Sequence, residues 1–252
     1  MTLFTASIAG AGLAAEAPRA APAKATRTTT TTTTIGVLYF DYAGKNAELA
    51  PLSKGLAQML ISDLAAVDTV QVVERERLQA VLDEQKLSQS GKIDGRTAAR
   101  IGKLLGARYL VLGSYFDALG AFRADARMVD VETGQIVKSV GANGKAEDFI
   151  GLEQTLAEGL CQAAAALPAP VPDGQDKDSA HRAGEHGVAK PPVRRPPKPP
   201  RALKASTAVT YGKALAAADS GDRRQASTLF KSVLAEQPDF ELAQRDLDRL
   251  IQ

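Results

Sequence analysis

The chain has 252 residues and 44% of them are apolar, enough to build the core of one or two domains. No stretch has the roughly 18–20 consecutive apolar residues that a transmembrane helix needs. The formal charge is only +2, and residues 34–166 carry 14 basic against 17 acidic groups, a net of −3, which argues against non-specific nucleic-acid binding by that part.

Residues 1–18, MTLFTASIAGAGLAAEAP, read as a secretory signal that lacks basic residues ahead of its apolar stretch, or as an alanine-rich tail. The first reading carries the expectation of export. No cysteine follows the stretch, so a lipid-anchored form is not expected. Residues 16–34 are Ala, Pro and Thr and end in a threonine run; a flexible tether is expected there, because nothing in it has an apolar face to bury.

Residues 34–40, TIGVLYF, predict a first strand whose near-continuous apolar character suits a central position. A helix is expected over 47–66, with Leu49, Leu52, Leu56, Met59, Leu60 and Leu64 on one stripe and Pro51 in its first turn. Residues 69–73 predict a second strand and 74–87 a second helix, with Leu78, Val81 and Leu82 inward. Asp94 is placed to cap a third helix that turns Ala98, Ile101, Leu104 and Leu105 inward and ends at Gly106.

Residues 108–141 organise the rest. Strands are expected at 109–118, 121–131 and 136–140. The middle one alternates, with Phe122, Ala124, Ala126 and Met128 on one face and Arg123, Asp125 and Arg127 on the other. Turns are expected at Leu119-Gly120 and at Glu132-Thr133-Gly134, where Gly134 supplies a positive φ. Such a meander needs cover from neighbouring segments. The helix expected over 145–167, with Phe149, Leu152, Leu156 and Leu160 on one face, supplies part of it.

Residues 168–200 are proline-rich and basic and predict an extended spacer. They could also bind an aromatic groove or an anionic surface. Residues 203–252 predict three antiparallel helices. The middle one turns Ala226, Phe230, Val233 and Leu234 inward, and Pro238 breaks the chain before the last.

Chemistry-bearing groups are sparse. The single cysteine, Cys161, falls in an alanine-rich helix and reads as a small buried hydrophobe; no intrachain disulfide is possible. His181 and His186 both lie in the spacer. Glu74-Arg75-Glu76-Arg77 reads as a solvated helix start, with its acids favourable at the amino terminus. Asp117, Asp125 and Asp130 are not placed at any defined separation, so a carboxylate pair for acid–base work is not indicated. Gly36 and the segment GKLLG at 102–106 lack the glycine turn and the lysine–hydroxyl pair of a phosphate loop. The expectation is a non-enzymatic protein with no catalytic, cofactor-binding or metal-binding residues and no cofactor.

The segments IGVLYF at 35–40, LSKGLAQMLISDL at 52–64, VVERERL at 72–78, AARIGKLLGARYLVLG at 98–113 and ARMVDVETG at 126–134 together resemble the CsgG family, over about residues 35–160. Related TolB amino-terminal-like and penicillin-binding-protein-activator domains look similar. The resemblance implies an extracytoplasmic, non-enzymatic α/β domain at the outer membrane, in a family whose namesake is a lipoprotein channel for curli subunits. The short turns near Leu119 and Gly134 leave no room for added membrane hairpins. Gly221, Ala226, Phe230 and Pro238 stand at the spacing of a tetratricopeptide repeat; a generic three-helix unit fits them as well.

The expected fold is α/β: a small mixed sheet covered by amphipathic helices, followed by a short all-helical TPR-like unit. The expected segments are 1–33 (signal-like and Thr-rich), 34–167 (CsgG-like domain), 168–200 (linker) and 201–252 (TPR-like). The expected function is an accessory or scaffold protein in the periplasm or at the outer membrane. Its expected partners are envelope proteins or further copies of itself, with peripheral outer-membrane contact, no nucleic acid and no transmembrane helix. The alternative is a component of a curli-type secretion channel.

Overall fold

Apolar residues in short runs or alternation decide the sheet, and the computed structural model shows how it is assembled. It describes residues 32–86, 95–118, 120–168 and 202–251. The signal-like and threonine-rich start, Asp94, Leu119, the proline-rich spacer and both histidines lie outside the described residues.

Strand β1 (Thr33–Val37) is central, as its apolar run requires. It pairs in parallel with β3 (Val70–Val72) on one side and with β4 (Tyr109–Ala118) on the other. Past the end of β1, a two-residue strand β2 (Asp41–Tyr42) continues the parallel pairing with β4. Strands β5 (Ala121–Asp130) and β6 (Ile136–Lys145) then add antiparallel to β4, giving the order β3-β1-β4-β5-β6. The sheet is therefore mixed.

The meander matches expectation in its faces and turns. Phe122, Ala124, Ala126 and Met128 are all buried. Gly134 has φ +70° and Gly120 has φ +79°. Strand β6, expected to stop at Val140, runs on to Lys145. Its small residues Gly141, Ala142, Asn143 and Gly144 have turn-like composition, but an unbroken ladder to Ala124, Arg123 and their neighbours on β5 holds them extended.

Two layers of helix cover the sheet. On one face lie α1 (Leu52–Leu64) and α4 (Phe149–Ala165), whose apolar stripes meet Ile35, Val37, Val111 and Met128 in one cluster. On the other face α2 (Arg75–Glu84) and α3 (Gly95–Leu105) cover Leu38 and Leu110 in a second, smaller cluster. The helix expected over 47–66 is instead a 3-10 turn at Ala47–Leu49 followed by α1. Proline at 51 has no N–H to bond backwards, so the helix starts after it. The last helix of this part begins at Phe149, where the Asp148 side chain accepts from the Gly151 amide, and not at 145. In α3 the buried stripe is Ala98, Ile101, Gly102 and Leu105. Leu104, expected inward, is 47% exposed, because Gly102 takes the closest approach, to Val131.

Three further helices, α5 (Ala205–Asp219), α6 (Arg223–Glu236) and α7 (Glu241–Ile251), pack together around Tyr211, Phe230 and Phe240. This all-helical unit does not stand apart from the sheet part. Helix α5 lies on α1, and the apolar residues of both belong to one continuous core. Gly55 of α1 meets the Ala208 carbonyl and the Gly212 amide, and at Gly212 a Cβ would run into the Pro51 carbonyl. The carbonyl of Leu203 accepts from the Phe149 amide at 2.9 Å and the Ile150 amide at 3.3 Å. The tail thus occupies two amides at the start of α4 that have no partner within that helix.

Candidate functional site

Helix cover ends before the sheet does. Helices α2 and α3 cover Leu38, Val73, Leu110 and Val131, and among the described residues no helix covers the rest of that face on β4, β5 and β6. Cross-strand register fixes which residues share it: Leu112 lies opposite Arg127, Ser114 opposite Asp125 and Phe116 opposite Arg123, with Val129 opposite Ile136 across the next pair. Phe116 is 40% exposed and Ile136 53% exposed. Strand β6 is also the edge of the sheet, so among the described residues its outer main-chain groups have no strand partner, and Val137 on it is 45% exposed. A long edge bearing apolar side chains is a template for another chain. Where α3 meets the open face, a cleft of about 430 Å³ forms between Ala98 and Ala99 on one wall and Leu112, Arg127, Val129 and Ile136 on the floor.

The acidic groups singled out from the sequence are not brought together, and each has a structural partner. Asp117 accepts from the Tyr42 hydroxyl. Asp125 holds Arg123 in two bonds of 2.9 and 2.7 Å. Asp130 accepts from Arg108 at 2.8 Å and from the amides of Glu132 and Thr133 at 2.9 Å each, which fixes the turn into β6. Cys161 is half-buried with its Sγ 3.6 Å from the Asp63 carbonyl. Burial, then the nearby Asp63 and Glu153 carboxyls, push its thiol up to about 12, so little thiolate forms near neutral pH. Among the described residues no group of three or more His, Cys, Asp or Glu could hold a metal ion.

The charged run at the start of α2 is the one place where sequence reasoning misplaced a charge. Glu74, Glu76 and Arg77 are exposed, but Arg75 is only 4% exposed. Its guanidinium pairs with Asp219 at the end of α5 and with Glu76 at 3.1 Å. Asp219 also takes Lys54 of α1 at 2.5 Å. The Lys54 ammonium stands 5.2 Å over the Tyr39 ring, and Tyr39 and Lys54 both donate to Gln79 of α2. Burial by itself lowers the guanidinium's pKa; Asp219 outweighs it and keeps Arg75 charged. This cluster fastens the tail to α1 and α2. No local signal marks it, since Asp219 lies 144 residues from Arg75.

A second buried set lies between α1 and α4. Glu153 is 2% exposed beside Asp63, and its Oε1 has no hydrogen-bond partner. Burial, then the charge of Asp63, raises the Glu153 pKa well above the usual carboxylate range; burial raises Asp63 as well.

The family described as curli production assembly/transport component CsgG matches residues 14–118. The match starts earlier than the resemblance read from the sequence and ends with β4, so it includes neither the antiparallel strands β5 and β6 nor the helical tail. No curated protein matches the chain. Among solved structures, the LpoB C-terminal domain from Salmonella enterica is 20% identical, with 47% of this chain and 87% of that one covered at a TM-score of 0.37. Lipoprotein GNA1162 from Neisseria meningitidis is 13% identical, covering 53% and 98% at a TM-score of 0.39. The PelC dodecamer from Paraburkholderia phytofirmans is 13% identical, covering 52% and 88% at a TM-score of 0.34. Among the described residues, no helix is long and apolar enough to cross a membrane.

Proposed function

We propose that this chain, whose amino-terminal part carries a CsgG match, is a non-enzymatic accessory or scaffold protein of the bacterial cell envelope, in the periplasm or at the outer membrane. It works by binding protein, an envelope component or a further copy of itself. The observation that carries this reading is the open half of the sheet: a ten-residue edge strand with no outer partner among the described residues, beside exposed Phe116, Ile136 and Val137. Main-chain bonds along such an edge supply affinity, and alternate side chains supply selectivity. The structural partners of Asp117, Asp125 and Asp130 support a non-catalytic role. The helical tail contributes by bracing α1 and α4, and the outer faces of α6 and α7 stay available for contact.

The family description favours a second reading, a component of a secretion or assembly channel. Strands β4 to β6 have the length for a membrane hairpin, but one face is packed under α1 and α4 and the other carries Arg123, Asp125 and Arg127, which leaves no lipid-facing band on them.

Crosslinking followed by pull-down from envelope fractions tests the leading reading. Intact chain is expected to retain a discrete partner or its own copies, and Val137→Glu with Phe116→Glu to lose them while the melting temperature holds. An unchanged catch, or a strictly cytoplasmic pool of unprocessed chain, would overturn it. Detergent-resistant rings in the membrane fraction would favour the channel.

A further inference from the structure

Beyond the protein-binding reading, the structure carries a small-molecule site. We propose that the cleft between α3 and the open sheet face binds a small amphiphilic carboxylate, a medium-chain acyl acid being the simplest example, with the carboxylate on Arg127 and Ser114 and the chain along Leu112, Val129 and Ile136.

The first argument is topological. From β1 the chain crosses through α1 to β3 on one side; from β3 it crosses through α2 and α3 to β4 on the other. The two crossovers lie on opposite faces. Helix α3, at the end of the second crossover, borders the face reached just past β1, while β4 runs directly into β5 and brings no helix to that face. Leu38, Tyr39 and Asp41, just past β1, and Gly113 and Ser114 on β4 all line this cleft.

The second argument is electrostatic. Arg127 projects from the middle strand of the open face and has no hydrogen bond or ion pair among the described residues. Asp125, two residues back on the same face, is held by both guanidinium bonds from Arg123. Asp130, which also lines the cleft, is spent on Arg108 and on the turn amides. Asp41 has interactions of its own. Asp125 and Asp130 are thus engaged, and the exposed Arg127 guanidinium has no ion-pair partner among the described residues.

The third argument is reach. Ser114 is half-buried, and its hydroxyl makes no hydrogen bond among the described residues. It sits diagonal to Arg127 across the β4–β5 pair, a relation that puts the two backbones about 7–8 Å apart. A long guanidinium and a hydroxyl at that spacing can hold the two oxygens of one carboxylate between them. Apart from Tyr39, Asp41 and Asp130, the remaining lining is aliphatic or small, with Ala98 and Ala99 keeping the α3 wall low. The volume of about 430 Å³ suits a small molecule more than a folded partner.

The test is an NMR titration of the full chain with octanoate, with octanamide as the neutral isostere. Octanoate is expected to saturate and to shift Ala99, Ser114, Arg127 and Ile136. Octanamide is expected to bind about tenfold more weakly, since a charge-assisted bond is lost. Arg127→Ala should lose the same factor, and Ala99→Phe should fill the cleft and abolish binding with the melting temperature unchanged. No saturable shift, equal binding of octanamide, or octanoate binding unaffected by either substitution would overturn the proposal. So would shifts at these residues with phosphatidylglycerol vesicles and none with octanoate, which would assign the cleft to a lipid surface.

Discussion

Arg75 shows how far a single side chain can depart from its local pattern. In a run of alternating charge at a helix start, solvent exposure is the ordinary outcome for each member, and it holds for Glu74, Glu76 and Arg77. Arg75 points inward because Asp219 is waiting there. Removing one partner of a buried pair leaves an uncompensated charge and costs about 3–5 kcal/mol. The two partners are not equivalent. Without Arg75, Asp219 keeps Lys54; without Asp219, the acid left to Arg75 is the half-exposed Glu76. Asp219→Ala should therefore destabilise more than Arg75→Ala, and urea unfolding of the two variants measures the order. Glu153 gives a residue-scale pH dependence. Its folded pKa is raised above the unfolded one by burial, then by Asp63, so the folded state holds the proton more tightly. The stabilising contribution is full below the ordinary carboxylate range and is lost as pH rises from there through the raised value. Glu153→Gln, which stays neutral, should raise the melting temperature at neutral pH and change it little in mild acid; thermal unfolding across that range would show it.

At the scale of elements, periodicity read the interior well and the boundaries less so. The faces of β5 and the stripes of α1 and α4 follow from residue spacing alone, because a strand repeats every two residues and a helix every 3.6. The length of β6 does not: four small residues look like a turn until a neighbouring strand holds them. Nor does the docking of α5, which depends on two glycines in different helices meeting. Gly212 has no backbone peculiarity to betray it; only the Pro51 carbonyl beside it explains why no side chain fits. Gly212→Val should force α5 off α1, at a cost of about 1–3 kcal/mol for overpacking. Hydrogen exchange should then show faster exchange in α5 and at the Phe149 and Ile150 amides that Leu203 covers, with β4 and β5 unaffected. Unchanged protection of α5 would mean that the helices can part without loss of contact elsewhere.

For the whole molecule, the helical tail belongs to the body of the protein. A proline spacer suggests a module held at a distance; the structure has the module returned to α1, joined by a shared core and a buried ion-pair cluster. Ending the chain at Leu167 should expose the apolar surface of α1 around Gly55, leave Arg75 without Asp219, and free two amides at the start of α4. The shortened chain is expected to melt well below the intact one and to self-associate non-specifically, which sedimentation would detect. A shortened chain as stable as the parent would return the tail to the role of a detachable adaptor.

Local pattern was enough to establish the α/β class, the order of strands and helices, the turn glycines and the CsgG resemblance, because these rest on near-neighbour spacing, backbone conformation and burial. The unpartnered edge, the destination of Arg75, the seat of the tail and the uncompensated charge of Arg127 were legible only once the chain was folded. Each depends on what stands opposite a side chain in space, and here the deciding groups, from Asp219 beside Arg75 to Arg123 on Asp125, come from other elements or have already been claimed by a neighbour.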